Sequence, residues 1–205
     1  VSDQYIKDNI QDKFDDKTID ELLADTKTIV KNADEMEQWK ETKGKWMMYY
    51  ESKNVEGKRN MARLENFINY NDKLKNLLDT KLNNLIESVV GDKLYLFKDK
   101  LNWKKGGGSG FMAHQDQPAW TDFEPERYYT MALFGNNTTK ENGCLEFCKN
   151  MNRKLLSYDE STTGQLSKEI EKSLNFEHIE TTTRDILIFD SYSPHRSGNN
   201  KTNNC

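Results

Sequence analysis

The chain has 205 residues, 31% of them charged, with Lys+Arg 30 against Asp+Glu 34 and a net charge of -4. That length holds one well-cored domain and not several, and the slight negative charge offers no general attraction to a polyanion, which sets nucleic acid aside as a partner. No apolar run approaches the ~20 residues of a membrane span and no secretory leader opens the sequence, so a membrane partner is set aside as well.

The mean hydropathy of -0.96 describes a very polar surface, while 11% aromatic residues can still supply large buried side chains. Cys144, Cys148 and Cys205 are odd in number and lack zinc-ribbon spacing. They are read as free thiols in a reducing compartment, which points to the cytoplasm. The sequence opens on Val1 without an initiator Met and stops at Cys205 just after its richest motif, so it is expected to be part of a longer chain. Oligomeric state is not legible.

In chain order, residues 1–92 read as mainly helical support. Polar residues alternate there with apolar ones returning every three or four positions. Trp39, Trp46, Tyr49 and Tyr50 surround Gly44 and are read as packing residues. A helix is predicted to carry Leu64, Phe67 and Ile68, and a second carries the stripe Leu74, Leu77, Leu78, Leu82, Leu85, Ile86 and Val89, ending at Gly91 as a left-handed cap. From Lys93 the pattern changes to short β-rich runs at 94–97, 128–134, 144–148, 179–183 and 186–189. Turn-formers such as 106–110, 135–137 and 142–143 separate them. A polar insertion from Met151 to Asn175 holds one short helix near 166–174. Helices first and strands afterwards predict an α+β fold, with a helical N-terminal part packed on a jelly-roll core at 93–205, the whole forming a single domain.

His114-Gln115-Asp116 sets an imidazole and a carboxylate two residues apart, and an extended backbone points both to one side. Of the two remaining histidines, His195 follows the buried-looking run Asp185-Ile-Leu-Ile-Phe-Asp, where a sheet delivers side chains to its rim; His178 sits among polar residues and reads as a surface histidine. Two histidines and one carboxylate on one face of a metal leave the opposite positions open, the arrangement that non-haem Fe(II) oxygenases use.

The stretch from Arg63 to the end resembles the phytanoyl-CoA dioxygenase superfamily. The resemblance rests on Arg63-Leu-Glu-Asn-Phe, Leu96-Phe-Lys-Asp-Lys-Leu-Asn-Trp, Gly107-Gly-Ser-Gly-Phe-Met-Ala-His-Gln-Asp, Glu141-Asn-Gly-Cys-Leu and Asp185-Ile-Leu-Ile-Phe-Asp-Ser-Tyr-Ser-Pro-His-Arg-Ser-Gly, in the family's order. It implies a double-stranded β-helix and an enzyme that couples oxidative decarboxylation of 2-oxoglutarate to hydroxylation of a second substrate, with Fe(II), 2-oxoglutarate and O2 as cofactor and co-substrates. Carried over by position, His114, Asp116 and His195 match the metal triad; Ser197, Asn102 and Phe111 match positions that meet 2-oxoglutarate. No side chain beyond the metal ligands need act in the chemistry. The family's co-substrate arginine lies about eleven residues after the distal histidine, a spacing that falls past Cys205, so the last strands of the core are expected beyond the given sequence. Cys148-Lys-Asn-Met also departs from the family's usual wording.

The wording around Lys98-Asp-Lys-Leu-Asn and His114-Gln-Asp-Gln-Pro-Ala-Trp is similar to the branch of 2-aminoethylphosphonate dioxygenases, which implies a small-molecule substrate. Lys98, Lys100, Lys104, Lys105 and Arg127 lie near the metal segment in sequence and could meet a phosphonate or carboxylate, and Trp120 could face an amine. Lys98, Trp120 and Arg127 are taken as the substrate contacts. An acyl-CoA, lipid or amino-acid-like substrate, a non-catalytic binding protein with a vestigial site, and a zinc hydrolase on the same triad remain open alternatives.

Overall fold

The computed structural model describes residues 5–9, 17–21, 23–24, 47–55, 58–123, 127–149, 151–159, 161–162 and 164–203. The strands among them form three antiparallel sheets of three. The first has β8 (Asp185–Asp190) between β1 (Tyr5–Asn9) and β5 (Tyr129–Leu133). The second has β3 (Lys58–Glu65) between β2 (Met47–Val55) and β4 (Lys100–Asn102). The third has β6 (Leu145–Cys148) between β7 (Phe176–Ile179) and β9 (His195–Ser197).

β8 is buried on both faces, which explains its continuous apolar run, and the period of two divides its side chains between two cores. Ile186 and Ile188 pack with Ile19, Leu82 and Ile86 on the helical side. Leu187 and Phe189 pack with Phe147 and Ile179 on the side of the third sheet. The helical layer comprises α1 (Asp72–Leu77), a π-helical turn (Leu78–Leu82) and α2 (Asn83–Val90) in unbroken succession. Asn71 caps its start by accepting from Leu74 N–H, and Gly91 ends it at φ 80°. A short helix, α3 (Lys168–Ser173), is capped by Ser167.

Several expectations need correction. Among the described residues, the front of the chain holds strands as well as helices: β1, β2 and β3 all lie before residue 92. Leu64 belongs to β3 and is fully buried opposite Leu101, and Ile68 opens a short 3-10 turn, so the proposed helix through Leu64 and Phe67 does not exist. Strand pairing overrode the local polar, helix-like composition there. Residues 93–99 are irregular and the strand begins at Lys100; the strand expected at 179–183 is Phe176–Ile179, with Thr181 adding only an isolated bridge to Thr138. Trp39, Gly44 and Trp46 lie outside the described residues.

Cys144 and Cys148 are buried and unpaired. Among the described residues no helix is long and apolar enough to cross a membrane.

Candidate metal centre

His114 and His195 lie directly opposite each other in an isolated antiparallel bridge: His114 N–H donates to the His195 carbonyl at 2.9 Å and His195 N–H returns the bond at 3.0 Å. The ring centroids are 4.2 Å apart. Asp116, two residues along, points to the same side, and one ligand atom from each of the three residues lies within 4.8 Å of the others. Phe147 stacks on the His195 ring at 5.4 Å and Phe189 packs against it at 5.0 Å, so the ring is walled by the core.

Each imidazole is held through Nδ1. His114 Nδ1–H donates to the Met112 carbonyl at 2.7 Å, and His195 Nδ1–H to the Ser193 carbonyl at 2.9 Å. Both bonds require the tautomer whose Nε2 carries the lone pair. Burial first, and the neighbouring His195 second, push His114 down to about 4, which keeps it neutral near pH 7. Burial by itself would raise Asp116, yet His195, Lys100, His114 and Arg63 together hold its carboxyl below the usual range. The set is two imidazole Nε2 atoms and one carboxylate, a donor set that fits a divalent first-row metal such as Fe(II).

Gln115 explains why its two neighbours face the metal side together. Its side chain turns the other way into full burial, donating to the Lys154 and Tyr192 carbonyls at 2.8 and 2.6 Å and accepting from Leu156 N–H at 2.8 Å. With position 115 tied to the 154–156 segment, 114 and 116 can only project towards β9.

A polar group lines β3 and β4. The register sets Arg63 opposite Asn102 and Glu65 opposite Lys100, on the face away from buried Leu64 and half-buried Leu101. Arg63 Nε donates to Asn102 Oδ1 at 2.9 Å, which leaves the Asn102 amide hydrogens to donate elsewhere. The guanidinium lies over the Tyr49 and Phe111 rings at 5.7 and 5.3 Å. Glu65 is buried and meets Lys98 Nζ at 2.9 Å, Arg63 Nη1 at 3.5 Å and the Tyr49 hydroxyl at 3.2 Å.

Ser197 sits two residues beyond His195 on the same strand. Its oxygen accepts from Lys104 Nζ at 3.0 Å and from Phe111 N–H at 3.1 Å, so its own hydroxyl hydrogen is what remains to offer. Lys104 also donates to the Gly143 and Gly198 carbonyls. Gly143, at φ 81°, leaves the space that Lys104 fills.

The structure thus gathers His114, Asp116 and His195 in one place; Asn102 lies on β4, Ser197 on β9, and Phe111 in the irregular segment that leads to His114. The expected substrate contacts fare differently. Lys98 is engaged by Glu65, Trp120 carries the Lys100 ammonium 5.6 Å from its ring centroid, and Arg127 is exposed ahead of β5. His178 lies on β7, 3.9 Å from Glu146 and apart from the triad. The sequence reading did not single out Arg63 or Glu65 as site residues; the signal available was their i, i+2 spacing on a strand, hidden by the assignment of a helix there.

The family model for phytanoyl-CoA dioxygenase (PhyH) matches residues 9–204. A 2-aminoethylphosphonate dioxygenase from uncultured bacterium HF130_AEPn_1 is 34% identical over 164 residues, covering 80% of this chain and 62% of that protein. A methylphosphonate hydroxylase from Gimesia maris is 31% identical over 181 residues, covering 87% and 67% respectively. The chain therefore spans about two thirds or less of the length of these relatives. In fold it is similar to EctD from S. alaskensis, solved with 2-oxoglutarate and 5-hydroxyectoine (TM-score 0.75, 17% identity, 99% of this chain and 69% of that one). It is also similar to SnoN, a non-heme alpha ketoglutarate dependent epimerase from nogalamycin biosynthesis (TM-score 0.74, 16% identity, 98% and 74%).

Proposed function

This chain belongs to the phytanoyl-CoA dioxygenase family, and from that premise we propose that it is the catalytic unit of an Fe(II)- and 2-oxoglutarate-dependent dioxygenase that hydroxylates a small organophosphonate, 2-aminoethylphosphonate or a close analogue. The observation that carries the reading is the triad of His114, Asp116 and His195, with both Nε2 atoms freed by Nδ1–H bonds to backbone carbonyls. The phosphonate part of the reading is supported by the two relatives named for phosphonate chemistry. The three sheets are read as the walls of a double-stranded β-helix, with residues 1–205 as one unit.

When bound, iron with the 2-oxo acid and dioxygen supplies the oxidising power needed to hydroxylate a C–H bond. The chain's own residues hold and orient. Met112 and Ser193 fix the imidazole tautomers through their carbonyls. The Ser197 hydroxyl hydrogen and the Asn102 amide are donors for the carboxylates of 2-oxoglutarate, and Phe111, tied to β9 through its backbone, walls the same space. Phe147 and Phe189 keep water away from the His195 side of the centre. No side chain serves as a nucleophile.

The test adds Fe(II) and 2-oxoglutarate to the purified protein under argon and looks for the weak visible absorption of the metal–2-oxo acid chelate, then admits oxygen and measures succinate with and without 2-aminoethylphosphonate. A band with phosphonate-stimulated succinate is expected. A band without stimulation would reject the substrate; Fe(II) binding without a band would reject the 2-oxoglutarate reading and favour hydrolytic chemistry on the same triad.

A further inference from the structure

The cations around the triad differ in how fully they are already engaged. Arg63 is committed to Asn102 and Glu65, Lys98 to Glu65, and Lys104 to Ser197 and two backbone carbonyls. Lys100 stands apart among these described residues. Its ammonium reaches Asp116 Oδ1 only at 3.8 Å, longer than a hydrogen bond, and its side chain is 28% exposed. Trp120 lies beneath it, with the ring centroid 5.6 Å from Nζ, and that platform fixes the ammonium beside the metal ligands. Against the same Trp120 ring packs Tyr128, which is 6% exposed, and its hydroxyl is buried with no hydrogen-bond partner among the described residues. A buried hydroxyl without an acceptor and an ammonium whose nearest carboxylate lies beyond hydrogen-bond distance, both set against the Trp120 ring, mark a place built for an oxyanion.

We infer that Lys100, held over Trp120, is the residue that seats the oxyanion head of the primary substrate beside the metal centre. The inference rests on the dioxygenase reading above and replaces Lys98 and Arg127 as the anion contact. It also changes the role expected of Trp120, whose ring meets a cation of the chain itself rather than the amine of a substrate. The ligand chemistry, a tetrahedral or planar oxyanion, is shared by the phosphonate of the substrate and the carboxylates of the 2-oxo acid. The register separates them: Lys100 is at the Asp116 end of β4, whereas Asn102 and Lys104 follow towards Ser197, where the 2-oxo acid is expected.

Protein loaded under argon with Fe(II) and 2-oxoglutarate is titrated with 2-aminoethylphosphonate by calorimetry, with the chelate band recorded alongside. Lys100→Met is expected to bind the phosphonate ~10- to 100-fold more weakly while forming the band at unchanged concentrations of iron and 2-oxo acid. Lys100→Arg, which keeps the charge, should recover most of the loss, and Lys100→Gln carries the same expectation as the methionine variant should that one fail to fold. Unchanged phosphonate affinity in Lys100→Met overturns the inference. So does loss of the band, since the lysine would then serve the metal or the 2-oxo acid. A wild-type protein that forms the band and binds no phosphonate overturns the role of Lys100 and leaves the oxygenase standing, whereas a wild-type protein without the band overturns both.

Discussion

Gly110 backs onto Ser197 so closely that a Cβ at position 110 would overlap the Ser197 carbonyl oxygen and the peptide that follows it. Backbone occupies the space, so the neighbour cannot swing aside as a flexible side chain would. Gly110→Ala is expected to cost about 1–3 kcal/mol, as overpacking does, and to displace the Ser197 hydroxyl. Urea unfolding and 2-oxoglutarate titration measure the two effects; full stability together with full 2-oxo acid affinity would show that the close approach has no consequence.

Gln115 ties the metal-ligand segment to residues 154–156 and 192 through three hydrogen bonds made in full burial. Gln115→Leu removes all three and leaves their backbone partners unsatisfied. The expected outcome is a drop in Fe(II) affinity of roughly 10- to 100-fold, the range found for residues that orient metal ligands, read by competition with a chromophoric chelator.

Glu65 gathers Lys98, Arg63 and Tyr49 around a buried carboxylate. Replacing it by Gln strips two cations of their counter-charge. Because Lys98 and Arg63 side chains retain 34% and 27% exposure, the cost should be about 2–3 kcal/mol, below the 3–5 typical of wholly buried pairs. Adding Lys98→Met to Glu65→Gln should recover part of that loss, and a double-mutant cycle on urea midpoints checks it.

Burial first, then Glu180 and Glu146, push the Cys144 thiol from 9.0 up to about 11. In the unfolded chain the thiol ionises near 9, while in the folded chain it keeps its proton. The folded state therefore holds more protons between those values, and stability falls as pH rises from about 9 towards 11. Below 9 the thiol is protonated in both states and contributes no slope. The urea midpoint of wild type should decline more steeply over that window than that of Cys144→Ala, and parallel declines would contradict the assignment.

Metal binding should raise stability by mass action, by about 2.7 kcal/mol at Fe(II) a hundredfold above its dissociation constant. Thermal unfolding under argon, with and without Fe(II), reads the shift. His195→Ala, which loses one of the three ligands, should show almost none.

That His114, Asp116 and His195 come together was legible in the sequence from two short signals. Asp116 follows His114 by two positions on extended backbone, and His195 follows a strand whose apolar run declares burial on both faces. The helix from Asp72 to Val90 was legible for the same kind of reason, since its stripe and Gly91 cap are properties of one short segment. Only the tertiary structure decided what surrounds the metal. Arg63 meets Asn102 and Glu65 stands opposite Lys100 because β3 pairs with β4 in one register, while the ion pair of Glu65 comes from Lys98 just ahead of β4. That pairing joins residues some 30 to 40 positions apart, which local periodicity does not encode, and it overrode a composition that reads as helix. Which lysine faces the metal ligands and which is neutralised by a buried glutamate follows from that register, since a shift of one residue would turn each of them to the opposite face.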